Sequence, residues 1–356
     1  MPTTTDNLRV TELQQLVAPA ELQRRHSLSD AARQSVESGR SAIHQILNGK
    51  DDRVIAVVGP CSIHDPVAAI EYALRLQALR VECADTLEIL MRVYFEKPRT
   101  IGGWKGLIND PGLDGSFRIN EGLETARTLL LQINEMGLPV GTEFLDTHVP
   151  QYIADLVSWG AIGARTTESQ IHREMASGLS CPVGFKNGTR GNVQIAIDAV
   201  RSSAQPHRFP GLAPNGQAAI VETSGNEDCH VILRGGGGTN FDADSVAETC
   251  TALARDNVRP QVMIDASHAN SGKDPLRQPD VMSEIGTQIA GGETRITGIM
   301  LESHLVGGAQ KLGATPLVYG QSITDGCLGW DDTESVLRKL ALDVHARRSS
   351  KLSRAC

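Results

Sequence analysis

The alternation of short apolar runs with longer amphipathic segments constrains the fold of this chain most strongly. Eight apolar, β-branched runs occupy residues 54–58, 87–95, 138–144, 161–164, 182–185, 231–233, 262–264 and 296–301. Between them lie amphipathic stretches at 67–79, 122–136, 151–158, 193–201, 244–256 and 279–290. Strands that alternate with helices on this scale are parallel, and eight such units predict an α/β fold of the (β/α)8 TIM barrel type. No GxGxxG motif follows a strand, so an open dinucleotide-binding sheet is disfavoured.

Two segments fall outside the repeating pattern. Residues 1–50 are predicted to form an N-terminal extension used in assembly or regulation, with Leu13, Leu16 and Val17 at helical spacing and a longer helix over 31–47. The catalytic barrel is predicted to span 51–356, with an inserted β-hairpin at about 205–228. Within that insert, Asn215-Gly216 suits a type I′ turn between two strands.

Charge and composition limit the partners. The 356 residues carry a formal net charge of −8, which argues against nucleic acid and against an anionic membrane surface. No apolar run reaches the roughly 18 residues of a spanning helix, and the N-terminus lacks a signal-peptide pattern, so we expect a cytoplasmic protein. The seven cysteines form no CxxC pair, and all except Cys61 are interpreted as small buried hydrophobic residues.

Charged or thiol-bearing side chains follow every predicted strand, at the face where parallel barrels place their chemistry. One group is cationic, and its members are Arg92, Lys97, Arg99, Lys105, Arg165, Lys186 and Arg234. Guanidinium and ammonium groups bind phosphate and carboxylate, so this group predicts ligands with several negative charges, most simply two phosphorylated or carboxylated substrates.

A second group combines a thiol, an imidazole and two carboxylates, in Cys61, His268, Glu302 and Asp325. This donor set suits a divalent transition ion with one position open to water or substrate. The plainer alternative is a buried cysteine and a hydrogen-bonded histidine with no metal.

Long motifs in the chain resemble those of the type I 3-deoxy-D-arabino-heptulosonate-7-phosphate (DAHP) synthases. They include Gly59-Pro-Cys-Ser-Ile-His-Asp65, Met91-Arg-Val-Tyr-Phe-Glu-Lys-Pro-Arg-Thr100, Gly163-Ala-Arg-Thr-Thr-Glu-Ser169, Pro182-Val-Gly-Phe-Lys-Asn-Gly188 and Ile264-Asp-Ala-Ser-His-Ala-Asn270. The resemblance implies a barrel that condenses phosphoenolpyruvate with erythrose 4-phosphate and releases phosphate, the first step of aromatic amino acid biosynthesis. It also implies a divalent metal: manganese, iron, cobalt or zinc.

The resemblance further assigns roles residue by residue. Cys61, His268, Glu302 and Asp325 would hold the metal. Arg165, Lys186 and Arg234 would bind the phosphate of phosphoenolpyruvate, and Arg92 with Lys186 its carboxylate. Erythrose 4-phosphate would bind at Lys97, Pro98, Arg99 and Thr100. Either Lys97 or a metal-bound water near Glu143 would move protons.

Relatives in this family are inhibited by an aromatic end product at a separate site. The matching positions here are Asp146, Pro150, Gln151, Ser180, Phe209 and Val221, with Asp6 from the arm of a neighbouring subunit in a homodimer or homotetramer. The residues leave open which amino acid binds. Stretches 170–175 and 319–325 resemble tryptophan-sensitive relatives, whereas Pro150 replaces the glycine expected in them.

Two other functions compete with this interpretation. A 3-deoxy-octulosonate-phosphate synthase would share the barrel but use a five-carbon sugar phosphate, which Lys97-Pro-Arg-Thr100 disfavours. A catalytically silent metabolite sensor is disfavoured because all four positions of the metal set are filled.

Overall fold

The structure, a computed structural model, describes residues 5–313 and 316–355, and the side chains of those up to Ser350. Eight parallel strands in this part of the chain close into a barrel in the order β1-β10-β9-β8-β5-β4-β3-β2. These strands are β1 (Val54–Gly59), β2 (Leu87–Arg92), β3 (Val140–Glu143), β4 (Trp159–Ile162), β5 (Val183–Lys186), β8 (Cys229–Leu233), β9 (Val262–Asp265) and β10 (Ile296–Glu302). Each predicted apolar run therefore supplies one barrel strand, and the predicted (β/α)8 fold is confirmed.

Helices connect and surround the strands. They are α1 (Pro19–Arg25), α2 (Asp30–Leu47), α3 (Pro66–Glu82), α4 (Ile119–Glu135), α5 (Pro150–Ile153), α6 (Gln170–Gly178), α7 (Gln194–Ser203), α8 (Ala243–Arg255), α9 (Gln278–Ala290) and α10 (Trp330–Ala355). The predicted amphipathic segment 151–158 contains only the short α5 and a 3-10 turn, and α6 was not predicted. No helix among the described residues is long and apolar enough to cross a membrane.

Helix α2 closes one end of the barrel. Its residues Ile43, Ile46 and Leu47 pack in one buried cluster with interior strand residues such as Trp159 and Met300. All residues of the barrel strands are buried, as expected where helices cover the outside of a parallel sheet. With α2 across the amino-terminal end of the strands, the carboxyl end is the open face on which a site can form.

The predicted helical turn around Leu13, Leu16 and Val17 is wrong. Helix α1 begins only at Pro19, and Leu13 is 83% exposed. The backbone of this segment bonds instead to Asn120 of α4, which donates to the carbonyl of Gln15 and accepts from the N–H of Val17. Tertiary hydrogen bonds therefore replace the helical ones in this segment. Helix α1 then begins at Pro19, since proline is favoured at the first position of a helix.

The inserted hairpin is present, but its turn differs from the prediction. Strands β6 (Arg208–Leu212) and β7 (Ala218–Glu222) pair antiparallel, separated by residues 213–217. A type I′ turn needs positive φ at both central residues, and here Gly216 (φ 83°) adopts it while Asn215 does not. Pro214, whose ring fixes φ near −65°, precedes Asn215 and starts a longer loop. The carbonyl of Pro214 accepts a hydrogen bond from Ala20 N, which ties the hairpin to α1.

Candidate active site

Three of the predicted metal-binding side chains meet at the carboxyl end of the barrel. The donor atoms of Cys61, Glu302 and Asp325 lie within 4.8 Å of one another. Cys61 follows β1, Glu302 ends β10, and Asp325 comes after β12 (Gln321–Ser322), which pairs with β11 (Val306–Ala309). The Cys61 thiol lies 3.7 Å from Asp325 Oδ2. Neighbouring strands β1 and β10 thus bring together residues distant in sequence.

His268, in the loop after β9, lies beside this cluster but outside the group of three whose donor atoms are all within 4.8 Å of one another. Its Nε2 lies 3.9 Å from Glu302 Oε1, while its Nδ1 lies 2.9 Å from Asp265 Oδ2 and 2.7 Å from Ser267 Oγ. Residue 268 has φ +56°, an uncommon value for a residue with a side chain. A carboxylate on one imidazole nitrogen leaves the other free to bind a metal, the usual arrangement of histidine ligands.

The charges around the thiol come mainly from three residues. Burial, and next the Glu302 carboxylate, raise the pKa of the Cys61 thiol, although the Lys97 ammonium opposes them. Lys97 Nζ lies 3.1 Å from both Cys61 Sγ and the Cys61 carbonyl oxygen. Partial desolvation raises the pKa of Asp325, but neighbouring positive charges, Lys97 first, outweigh it and hold the pKa below its usual range. The cluster therefore combines an ionised carboxylate with a thiol that retains its proton at neutral pH.

Arg92 lies directly beneath the cluster and is 1% exposed. Its guanidinium donates to Glu302 Oε1 (2.8 Å), to the carbonyls of Pro60 (3.1 Å) and Cys61 (3.3 Å), and lies 3.5 Å from the centre of the Tyr94 ring. These contacts orient Glu302 and the strand end that carries Cys61. The structure therefore shows a supporting role for Arg92 in addition to the predicted contact with a substrate carboxylate.

A cavity of about 510 Å³ opens beside the cluster. Six of the predicted substrate-binding residues line it, namely Lys97, Pro98, Arg99, Thr100, Lys105 and Arg165. The Arg99 side chain is held by a hydrogen bond from its Nε to the carbonyl of Trp104 (2.9 Å). The structure thus gathers the cations of two separate loops around one opening, as an anionic ligand requires.

Two further cations lie deeper in the mouth of the barrel. Lys186, at the end of β5, is buried and donates to Asp265 Oδ2 at 2.8 Å. Although burial opposes it, the Lys186 ammonium, followed by His268, holds the pKa of Asp265 well below its usual range. Arg234, just after β8, is 9% exposed, and burial lowers its pKa. Asp265 thereby joins the cationic group to the histidine of the cluster.

Two carboxylates stand at the side of the opening. Glu143, predicted to lie near a proton-transferring water, ends β3 and packs against Gly163, where a Cβ would collide with its Oε1. Glu96 was not predicted. It is buried, its Oε1 accepts from Asp146 N at 3.2 Å, and its Oε2 has no hydrogen-bond partner in the described part of the chain. Burial, reinforced by Asp146, raises the pKa of Glu96 to about 8. Its place in the motif 91–100, next to Lys97, was the sequence signal that could have drawn attention to it.

A second cavity, of about 600 Å³, lies between the hairpin and the barrel. Five predicted regulatory residues line it: Pro150, Gln151, Ser180, Phe209 and Val221. Phe209 and Val221 are paired across β6 and β7. Asp146 instead lines the first cavity, and its Oδ1 accepts from His148 N, a residue of the second cavity. Asp6 lies in the exposed arm, and its predicted contact is with a second copy of the chain.

A closed parallel barrel with a thiol, imidazole and carboxylate cluster at its carboxyl end, beside a cavity lined by cations, defines a class: (β/α)8-barrel enzymes that act on anionic substrates. Within that class, residues 24–338 match the model of the DAHP synthetase I family, and the chain belongs to this family. It is a transferase of the aromatic amino acid pathway, and relatives sensitive to different aromatic amino acids occur in the family.

The relatives cover nearly the whole chain. The Phe-sensitive phospho-2-dehydro-3-deoxyheptonate aldolase of Escherichia coli (strain K12) is 59% identical over 96% of this chain and 98% of its own length. The Trp-sensitive enzyme of the same strain is 55% identical over 96% and 99%. A solved structure of the aldolase from Francisella tularensis superposes with a TM-score of 0.94 at 49% identity, covering 95% of this chain and 99% of that one.

Proposed function

We propose that the chain condenses phosphoenolpyruvate with erythrose 4-phosphate at a divalent metal held by Cys61, His268, Glu302 and Asp325. One water is consumed, the product is DAHP, and inorganic phosphate is released. The observation that supports the proposal is the convergence of Cys61, Glu302 and Asp325 at one end of the barrel, with His268 Nε2 3.9 Å from Glu302 Oε1, beside a cavity lined by cations.

The donor set fits a transition ion. Thiolate, imidazole and carboxylate together suit manganese, iron, cobalt or zinc. Such an ion would act as a Lewis acid toward the aldehyde of erythrose 4-phosphate. Asp265 fixes the orientation of His268, and Arg92 fixes that of Glu302, so both ligands are presented in one orientation.

The cations divide into two groups. Arg165, Lys186 and Arg234 bind the phosphate of phosphoenolpyruvate, and Arg92 with Lys186 attracts its carboxylate. Pro98, Arg99 and Thr100, with Lys97, bind the sugar phosphate in the cavity. The positive charge of these side chains offsets the repulsion between the two bound anions, and their placement brings the enol carbon to the aldehyde.

Lys97 is positioned to move a proton. Its ammonium lies 3.1 Å from Cys61 Sγ, at the boundary between the metal cluster and the sugar phosphate cavity. From there it can donate to the oxygen that becomes a hydroxyl when the carbon–carbon bond forms.

The second cavity binds an aromatic amino acid as feedback inhibitor. Pro150 and Phe209 offer apolar surfaces to its ring. Its ammonium group faces a neighbour's Asp6, or Asp146 if that side chain turns from the first cavity toward the second. The segment 145–148 separates the two cavities, since Leu145 and Asp146 line one and Thr147 and His148 line the other. An inhibitor that shifts this segment would therefore disturb the sugar phosphate cavity.

Assembly and location complete the proposal. The N-terminal arm leaves Leu8, Val10 and Leu13 exposed, which supports its packing on another subunit of a homodimer or homotetramer. The described cysteines are free thiols, as is usual for proteins of the reducing cytoplasm.

One experiment tests the reaction and the metal together. Phosphate release is measured with phosphoenolpyruvate and erythrose 4-phosphate after chelation, and again after manganese, iron, cobalt or zinc is added singly. We expect no release after chelation and recovery with at least one ion. Equal release with arabinose 5-phosphate would contradict the four-carbon specificity, and release that survives chelation would contradict the metal role.

A second experiment tests the regulatory cavity. Inhibition by phenylalanine, tyrosine and tryptophan is compared in the native chain, in Phe209→Ala and in Ile220→Ala, a matched change on an outward-facing hairpin residue that is 85% exposed. We expect Phe209→Ala alone to lose inhibition while kcat is unchanged. Insensitivity of the native chain to all three amino acids would refute the site.

A further inference from the structure

Three asparagines join the loops that follow β5, β8 and β9. Asn187 comes directly after β5, Asn240 lies in the glycine-rich loop after β8, and Asn270 lies in the loop after β9. Asn187 and Asn270 are fully buried, and Asn240 is partly buried. Within the described part of the chain, none of the three side chains hydrogen-bonds to Cys61, His268, Glu302 or Asp325. Each lies in a loop that follows a barrel strand at the end where the ligand-binding residues are proposed.

Asn187 holds the backbone at Arg234. Its Oδ1 accepts from Arg234 N at 2.8 Å and from Asn240 Nδ2 at 3.2 Å. Its Nδ2 donates to the carbonyls of Gly188 and Gly235, each at 3.0 Å. Because Asn187 directly follows Lys186, these bonds fix the backbones of Lys186 and Arg234 relative to each other.

The other two asparagines extend the network to β9. Asn240 Oδ1 accepts from Gly235 N at 2.7 Å, and Asn270 Oδ1 accepts from Asn240 N at 2.9 Å. Asn270 Nδ2 donates to the carbonyl of Asp265 at 2.8 Å and to that of Leu233 at 3.3 Å. Each of the three side chains uses both its donor and its acceptor, a combination that a carboxylate or an apolar residue cannot supply.

The glycine-rich loop fits closely onto this network. Gly235 has φ +72°, and a Cβ there would lie 2.9 Å from Asn270 Oδ1. A Cβ on Gly236 would collide with the backbone of Gly191. Close packing therefore restricts the conformation of the loop backbone, and the hydrogen bonds of the asparagines stabilise that conformation.

We infer that Asn187, Asn240 and Asn270 are positioning residues that set the separation between the Arg234 guanidinium and the Lys186 ammonium. The inference rests on the proposed role of these two cations in binding the phosphate of phosphoenolpyruvate. A phosphate held by two cations on different strands is bound tightly only if the two strand ends keep a fixed distance. The asparagine network should therefore affect the affinity for phosphoenolpyruvate and not the affinity for the other substrate.

Asn240→Ala is the variant of choice, because the side chain is partly exposed and its loss removes two hydrogen bonds without adding charge. Steady-state kinetics on the metal-loaded enzyme give kcat and KM for each substrate, and inorganic phosphate serves as competitor against phosphoenolpyruvate. We expect KM for phosphoenolpyruvate and Ki for phosphate to rise together by roughly tenfold, as two lost hydrogen bonds imply. KM for erythrose 4-phosphate should stay within about twofold.

Asn192→Ala is the matched control, since Asn192 is exposed in the loop after β5 and its Oδ1 only caps the N–H of Gln194. Should Asn240→Ala not fold, the isosteric pair Asn240→Asp and Asn192→Asp replaces the alanine pair. A rise in both KM values by one factor, an unchanged Ki for phosphate, or equal effects at positions 240 and 192 would overturn the inference. Arg234→Ala separates the two claims: if it leaves Ki for phosphate unchanged, the proposed phosphate site itself is wrong.

Discussion

Replacing Cys61 with serine tests the metal centre most directly, because serine keeps nearly the same shape and removes the group that can become a thiolate. The Cys61 side chain is fully buried, and burial with the nearby Glu302 carboxylate raises the pKa of its thiol despite Lys97. At neutral pH the thiol therefore holds its proton, and a metal must displace that proton in order to bind.

The size of the effect follows from this proton. Between about pH 7 and 8.5 ordinary carboxylates are ionised, and the pKa of Asp325 is lower still, so the thiol supplies the proton that is released. Metal affinity should then rise about tenfold per pH unit in this range. In Cys61→Ser the hydroxyl does not ionise, so we expect affinity at least about a hundredfold weaker at pH 7.5 and no such slope.

Calorimetric titration of manganese into chelator-treated protein measures both quantities. Titrations in two buffers with different ionisation enthalpies should show about one proton released per ion in the native chain and close to none in Cys61→Ser. Cys83→Ser, the same change in a buried cysteine that follows α3, should behave like the native chain.

Two results would refute this reasoning. Native-like affinity in Cys61→Ser would show that the thiol is not a ligand. A pH-independent affinity in the native chain would show that the thiol is already ionised before metal binds, so that Lys97 outweighs burial.

Three other perturbations have definite expected outcomes. Burial raises the pKa of Glu96 in the folded protein to about 8, whereas its pKa in the unfolded chain is near 4.3. Between these two pH values the folded state holds a proton that the unfolded state has lost. The free energy of unfolding therefore falls as the pH rises through this range. The stability of Glu96→Gln relative to the native chain should therefore increase from pH 5 to pH 8, as measured by urea unfolding. A difference in free energy of unfolding that stays the same at every pH would contradict this. Arg127→Met should lower the free energy of unfolding by about 3 kcal/mol, because buried Arg127 joins the N-terminal arm to α4 and α5. Gly236→Ala should raise KM for phosphoenolpyruvate through its collision with Gly191, whereas Gly238→Ala, which points into open space, should not.

The barrel could be predicted from the sequence because its signal is local. Each strand is buried on both faces, so most of its residues are apolar, and a charged or thiol-bearing side chain stands at or near its carboxyl end. Helix α6 escaped prediction because it is short and polar. The helix predicted at Leu13 and the turn predicted at Asn215 failed for a different reason, since contacts with Asn120 and the ring of Pro214 override local preference.

The candidate site shows the same division. Cys61, Arg92, Lys186 and Glu302 could be selected because each stands at a strand end. Glu96 could not, because its importance lies in burial and in contact with Asp146, 50 residues away. The asparagine network was equally invisible, since amides after strands are common and only their partners show what they hold.

The sequence by itself determined the number of strands, the face that carries the chemistry, and the residue types there. The reason is that the hydrophobic pattern and the chemistry of a side chain depend only on the residues at and near each position. Only the tertiary structure decided which of those side chains meet. Cys61 and Asp325 lie 264 residues apart and come within 3.7 Å, because barrel closure places β1 beside β10 and the segment after β10 folds back over the first strand end.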